Sequence, residues 1–204
     1  MNHWHADCDM RPPASALYLI DAPSSPVVSR TEMKAHLRVD YDDDNLLIDS
    51  LTAAVTQHLD GKDGILGRAL QEQSWELRMS FFPRSIRLPL PPLISVDAVQ
   101  YLDLSAARVT IDKSRYVVTG EQGRGVISLG SGAAWPAQLC NHPEAAIVSF
   151  TCGYEKVPDP IKAAIKLMVA TLYQNREHVV VGQTAIELPW AAEALLRPYI
   201  VIGA

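Results

Sequence analysis

Pro158-Asp159-Pro160-Ile161-Lys162-Ala163-Ala164-Ile165-Lys166-Leu167-Met168-Val169-Ala170-Thr171-Leu172-Tyr173-Gln174-Asn175-Arg176-Glu177-His178 is the most strongly helical stretch of this 204-residue chain, and its reading decides the fold. Ile161, Ile165, Met168 and Leu172 recur at helical spacing. Asp159 is placed to accept from the orphan amides of the first turn, and Pro160 suits the first helical position. Arg176 and His178 sit where a cation meets the partial negative charge of a helix C-terminus. Ala163, Ala164, Leu167, Val169, Ala170 and Tyr173 make the other faces apolar too. A helix that is apolar nearly all round is covered on more than one side. The expectation is a central strut, packed on its own domain and on a neighbour.

Upstream, Ser29 and Glu32 form a capping box with Val28 and Met33 as its hydrophobic staple, so a short helix runs to about Arg38. Asp40-Tyr41-Asp42-Asp43-Asp44 opens like a calcium loop. However, Asn45 stands where the turn glycine belongs and Leu51 where a bidentate Glu should close the site. The aspartates are better read as capping the next helix, which carries Leu47, Leu51, Val55 and Leu59 on one stripe, Ala54 and His58 beside it, and stops at Asp60-Gly61 and Asp63-Gly64. No second His or Cys lies one turn from His58, so it reads as a packing residue at the stripe edge.

The period then changes. Trp75, Leu77, Met79 and Phe81 alternate with Glu76, Arg78 and Ser80, which predicts a half-buried strand. Pro83, Pro89, Pro91 and Pro92 confine the following stretch to sheet edges and turns. Val96–Leu102, Arg115–Thr119, Val126–Leu129 and Ala145–Cys152 follow as short strands of a small β-sandwich or barrel. Gly120, Gly123, Gly125, Gly130 and Gly132 are hairpin turns, since no Gly-Lys-Ser/Thr follows them, and Ser128 and Ser131 miss a nucleophile elbow. Ala16–Ile20 adds a short strand before the first helix. Residues 1–15 form a polar, proline-bearing arm with no helical or strand period. Its Met1-Asn2-His3 start matches a copper or nickel site at an amino terminus, but a tail or docking segment is the simpler reading. Beyond the long helix, Val179-Val180-Val181 is unusually apolar for a loop. Pro189 then opens a last helix with Trp190, Ala194 and Leu195 on one side, ended by Pro198.

The layout predicts an α+β chain. Residues 16–65 and 155–204 form a discontinuous helical bundle, and residues 66–154 form the inserted β domain. With 48% hydrophobic residues the chain has a core large enough for one large domain or two small ones. No apolar run approaches a membrane span, and Ala16–Ile20 is too short for a secretory signal. A net charge of −5 opposes general affinity for nucleic-acid backbones. Cys8, Cys140 and Cys152 lack metal or redox spacing, which suits a reducing cytoplasm.

Lys34-Ala35-His36-Leu37-Arg38-Val39-Asp40, Asp43-Asp44, Leu66-Gly67-Arg68-Ala69-Leu70, Gln73-Ser74-Trp75-Glu76-Leu77 and Leu88-Pro89-Leu90-Pro91-Pro92-Leu93-Ile94-Ser95-Val96 occur in that order. Val157-Pro158 with its helix and Tyr173-Gln174-Asn175-Arg176-Glu177 follow. Together they resemble the head–tail connector (adaptor) proteins of tailed bacteriophages, in the longer subgroup with a β insertion. The resemblance implies a structural virion protein of the neck, made in the host cytoplasm, with no enzymatic activity, cofactor, metal or membrane. It implies a homo-oligomeric ring, commonly a dodecamer, stacked below the portal protein. Such a ring receives a neck or tail-completion protein and surrounds a channel through which DNA passes without specific binding. The acidic net charge suits a conduit that must not grip DNA. Arg68, Arg176, Val179, Val180, Val181, Trp190 and Tyr199 are the assembly candidates. The rival readings are a monomeric β-domain module recognising a peptide or sugar through Trp75, Trp135 and Tyr101, and a hydrolase using Asp42 or His142.

Overall fold

The computed structural model describes residues 15–120, 123–175 and 190–201. Its elements run β1 (Ser15–Asp21), α1 (Arg30–Leu37), α2 (Asn45–Leu59), β2 (Gln73–Met79), β3 (Ser85–Arg87), β4 (Leu93–Leu102), β5 (Arg108–Thr110), β6 (Tyr116–Thr119), β7 (Val126–Leu129), β8 (Ala146–Cys152), α3 (Asp159–Gln174) and α4 (Trp190–Leu196). The fold is α+β, with two antiparallel sheets among the described residues, ordered β1-β2-β8-β4-β5 and β3-β7-β6.

Local chemistry sets the ends of α1. The Ser29 side chain accepts from the Glu32 amide and the Glu32 carboxylate accepts from the Ser29 amide, completing the capping box. The stapling residues Val28 and Met33 are buried, and Arg38 ends the helix in the left-handed region at φ 58°. In α2 the buried stripe is Ile48, Thr52, Val55 and Leu59, displaced from the expected one. Leu47 and Leu51 only flank it, while Ala54 and His58 are exposed. Thr52 can be buried because its hydroxyl donates to the Ile48 carbonyl at 2.7 Å, which satisfies it within the helix. Asp44 occupies the N-cap position of α2 without a side-chain cap bond; its carboxylate instead accepts from the Tyr41 and Tyr173 hydroxyls.

In α3 the helix starts one residue earlier than expected, at Asp159 after an extended Pro158, so Asp159 does not cap it. The Pro158 carbonyl accepts from Ile161 and Lys162 instead. Ile161, Ala164, Ile165, Met168, Val169 and Tyr173 are buried. From Ile161 to Tyr173 no residue is fully exposed, as the all-round apolarity requires. In α4 the inner residues are Ala192 and Leu196, while Trp190 is 83% exposed and Ala194, placed on the same side by its spacing, is exposed too.

Two apolar clusters result. One gathers α1–α4 around Met33, Ile48, Leu59, Ile161, Ile165 and Leu196. The other lies between the sheets around Trp75, Leu77, Ile86, Val99, Ile127, Val148 and Phe150. Phe81 lies past the end of β2 and is exposed. β1, grouped with the helices by sequence position, pairs antiparallel with β2, Leu17 opposite Leu77 and Leu19 opposite Trp75. β5, absent from the expected strands, is a three-residue partner of β4.

A polar chain links the clusters. The Trp75 indole donates to Gln73 Oε1 at 3.1 Å. The Gln73 amide donates to both Asp60 oxygens at 3.2 Å, and Asp60 Oδ1 also accepts from the Leu70 amide at 2.8 Å. Burial pushes the Asp60 carboxyl above its ordinary range despite these donors. Close by, Gly153 takes φ +121°, where an added Cβ would stand 2.0 Å from the Gln71 carbonyl oxygen.

Candidate functional site

Arg68, at the seam between the clusters, is held from several sides. Its Nε donates to the Tyr199 carbonyl at 2.5 Å and its Nη1 to the Tyr154 hydroxyl. The guanidinium carbon lies 5.8 Å from both the Tyr154 and Tyr199 ring centres. The Val201 amide donates to the Leu66 carbonyl at 3.0 Å. Arg68 and Tyr199 are thus brought together, the arginine anchoring the turn that follows α4. Trp190, at the opposite end of that helix, faces solvent. Arg176, Val179, Val180 and Val181 lie outside the described residues, as do residues 1–14 of the arm, Cys8 among them.

Where α2 begins and α3 ends, the two elements are tied by hydroxyls. Tyr41 and Tyr173 hydroxyls lie 3.1 Å apart and both reach Asp44. Lys34 Nζ donates to Asp42 at 2.8 Å and to the Tyr41 carbonyl at 2.6 Å. Lys34 and Asn45 together draw the Asp42 carboxyl below its ordinary range. The acidic run is therefore a folded corner. Leu46 stands beside it, 82% exposed, with Tyr41 at 47%. The leucine was missed because a helical stripe read by spacing says nothing of a lone apolar residue on the outer side.

On the outer face of the larger sheet, Arg78 donates to Glu76 at 2.7 Å and to Glu144 at 3.0 Å, and Arg108 donates to Glu76 at 3.1 Å. Burial alone would raise Glu76; the two guanidiniums outweigh it and the net displacement is downward. Tyr18 of β1 donates to Glu144, with Arg78 over its ring at 4.4 Å. This row is a structural ladder of paired charges, not an open acid–base pair.

None of these arrangements has the geometry of a catalyst. Among the described residues no three His, Cys, Asp or Glu side chains converge as a metal site. Burial pushes the Cys152 thiol up to about 12, which keeps it protonated and unreactive near neutral pH. His142 Nδ1 accepts from the Glu144 amide at 3.1 Å, and Asp42 is bound to Lys34. The aromatics of the binding-module reading are packing residues. Trp75 is 6% exposed, Tyr101 packs against the β cluster, and Trp135 stacks on Phe82 at 4.8 Å with its indole N–H on the Pro83 carbonyl. Among the described residues no helix is long and apolar enough to cross a membrane.

Another surface feature is a groove. β1 and the 22–26 segment form one wall, and Asp49, Thr52, Ala53 and Thr56 of α2 form the other, enclosing about 1180 Å³ with Trp75 at the back. Leu19 stands at its rim, 47% exposed.

No protein-family model and no curated protein matches this chain. Solved structures do. A chain in the neck of an empty GTA particle, computed with C6 symmetry, superposes with a TM-score of 0.71 at 18% identity, over 93% of this chain and 98% of that one. A chain in the virion of a native gene transfer agent (GTA) particle gives the same score and identity over 92% and 98%. One in the neck of a native GTA particle, computed with C12 symmetry, gives 0.62 at 18% identity, again over 92% and 98%. At that identity the likeness establishes the fold, end to end on both sides.

Proposed function

We propose that this chain is a structural neck protein of a phage-like particle: a head–tail connector (adaptor) that forms a ring below the portal. The observation that carries this reading is the fold shared over nearly the full length of both chains with proteins from the neck of gene transfer agent particles. The ordered adaptor-like stretches of the sequence support it independently. So does the surface, where exposed Trp190, Leu46 and Tyr41 invite cover by other subunits.

In this reading twelve copies form the ring, the portal protein lies on one side and a neck or tail-completion protein on the other. DNA passes through the middle, repelled by subunits that each carry a net charge of −5. The protein resides in the virion after synthesis in the host cytoplasm, and it needs no cofactor. Arg176, Val179, Val180, Val181 and Trp190 make contacts between subunits or with the portal, while Arg68 acts through its hold on Tyr199. The test is electron microscopy of the purified protein, alone and mixed with the portal protein of its own particle. A ring stacked on the portal is the expected result. A protein that leaves the portal bare overturns the adaptor reading.

A further inference from the structure

The net charge of −5 is unevenly spread. The segments that build the three-stranded sheet, residues 84–87 and 112–128, hold five of the chain's 18 Lys and Arg residues but two of its 23 Asp and Glu. Ile86 of β3, Ile127 of β7 and Tyr116 of β6 turn into the β cluster, so the alternate positions face outward. Those positions form the cross-strand rows Ser85–Ser128–Val117 and Arg87–Val126–Thr119. The same alternation puts Arg115 and Arg124 at the two ends of the face, both exposed. No strand position on this face carries a carboxylate, and Val117 stands in it 52% exposed. Arg84, just before β3, and Arg87 are exposed, with no side-chain partner among the described residues.

The complementary surface is the folded corner before α2. Lys34 takes up Asp42, and the Tyr41 and Tyr173 hydroxyls take up Asp44. Asp40 and Asp43 are exposed and make no side-chain hydrogen bond or ion pair among the described residues. With Lys34 and Arg38 counted against its four aspartates, the corner remains acidic. Leu46 and Tyr41 add exposed apolar area beside those carboxylates, as Val117 does among the arginines. The two surfaces therefore match in apolarity and oppose in charge.

Within one copy they stand apart. The 15 residues of α2 carry the corner about 22 Å from Asp60 at the seam, and the three-stranded sheet belongs to the cluster beyond that seam. A DNA duplex would answer the arginines but leave Val117, Leu46 and Tyr41 bare, whereas a second copy covers both surfaces at once. Four of the five cations are arginine, which protein interfaces favour while they are depleted in lysine.

We propose that the outer face of the three-stranded sheet in one copy docks on the 40–46 corner of the next, with Arg84 and Arg87 against Asp40 and Asp43 and with Val117 and Leu46 as the apolar centre. Each copy uses two different surfaces, a head-to-tail contact of the kind that closes into a ring. Assembly thereby removes the basic face from the surface that DNA meets. The proposal rests on the ring reading and names one of its contacts.

Charge reversal in the full chain tests it, with assembly read by sedimentation and electron microscopy, portal protein included. Arg84→Glu with Arg87→Glu should raise the concentration needed for assembly about tenfold or more, and so should Asp40→Lys with Asp43→Lys. All four side chains are exposed, so each variant should melt like wild type. Mixing the two reversed chains should restore assembly, since each reversed face then meets a reversed corner. Normal assembly of either reversed chain alone sinks this contact and leaves the ring reading standing. Loss of assembly that mixing does not restore removes the second copy as the occupant. Rings of Arg84→Glu with Arg87→Glu that form normally but no longer retain a short duplex held by wild type assign the face to DNA and overturn the docking. Failure of wild type to assemble under any condition sinks the ring reading and this contact with it.

Discussion

Replacing Arg68 by alanine should loosen the end of the chain before it loosens anything else. The side chain makes two hydrogen bonds, to the Tyr199 carbonyl and the Tyr154 hydroxyl, and lies over both rings. Hydrogen bonds from a charged group contribute about 1.5–3 kcal/mol each, and cation–π contacts at part-exposed sites about 0.5–1 each. Arg68 is only half-buried, so water replaces much of what is removed, and about half of that total survives as loss, roughly 2–4 kcal/mol. The loss should fall first on α4 and the turn after it. Their remaining ties are the burial of Ala192 and Leu196, the packing of Leu195 and Tyr199 against the helical cluster, and a backbone bond from Val201 to Leu66. Hydrogen exchange of residues 190–201 should accelerate well before the urea midpoint of α1–α3 moves. Arg68→Lys keeps the charge without the planar fork, so it should recover only part of the protection. Unchanged exchange in residues 190–201 together with an unchanged midpoint in Arg68→Ala would refute this account of the seam.

Three further outcomes follow from the same geometry. A carboxylate depressed in the fold, as Glu76 is, stabilises above its unfolded value of about 4.3 and loses that contribution as the pH falls through the folded value. Wild type should therefore exceed Glu76→Gln by about 1.5–3 kcal/mol at neutral pH, with the gap closing as the pH falls below the unfolded value; a gap that is constant with pH in urea titrations contradicts the ladder. Trp190→Ala should leave the melting of the monomer within about 0.5 kcal/mol of wild type yet weaken ring formation or portal binding, and intact assembly by sedimentation would remove Trp190 from the contact. Gly153→Ala must move the Gln71 backbone and strain a left-handed φ, costing about 3 kcal/mol or more, and a urea midpoint equal to wild type would show that the loop yields freely.

The parts of the fold that were legible are those settled by neighbours in sequence. Ser29 with Glu32, Arg38, and the all-round apolarity of α3 each report a constraint met within a few residues, and the structure follows them. The assignments that shifted depend on partners far along the chain. Asp44 has the chemistry of a cap, but the Tyr173 hydroxyl, 129 residues away, takes its carboxylate. Thr52 has a polar name and a buried place because its hydroxyl turns back into its own helix. β1 carries so little alternation that only its pairing with β2 reveals which sheet it joins. At the candidate surface, spacing grouped Trp190, Ala194 and Leu195 on one side, whereas the inner side of α4 is Ala192 and Leu196. The groove beside β1 had no signature, since its walls come from segments about thirty residues apart, a separation no periodicity reports.

The route of the chain through its helical cluster also governs how it is made. α2 ends at Leu59 and its principal partner α3 begins at Asp159. Ribosomes add about 5–20 residues per second, so Ile48, Val55 and Leu59 emerge roughly 5–20 seconds before the helix that covers them. During that interval α1 and α2 present an apolar face with nothing of their own chain to close it, while the strands between are still being laid down. Synthesis of this protein thus includes a holding period in which that apolar face is open to its neighbours on the same message before its own fold can cover it.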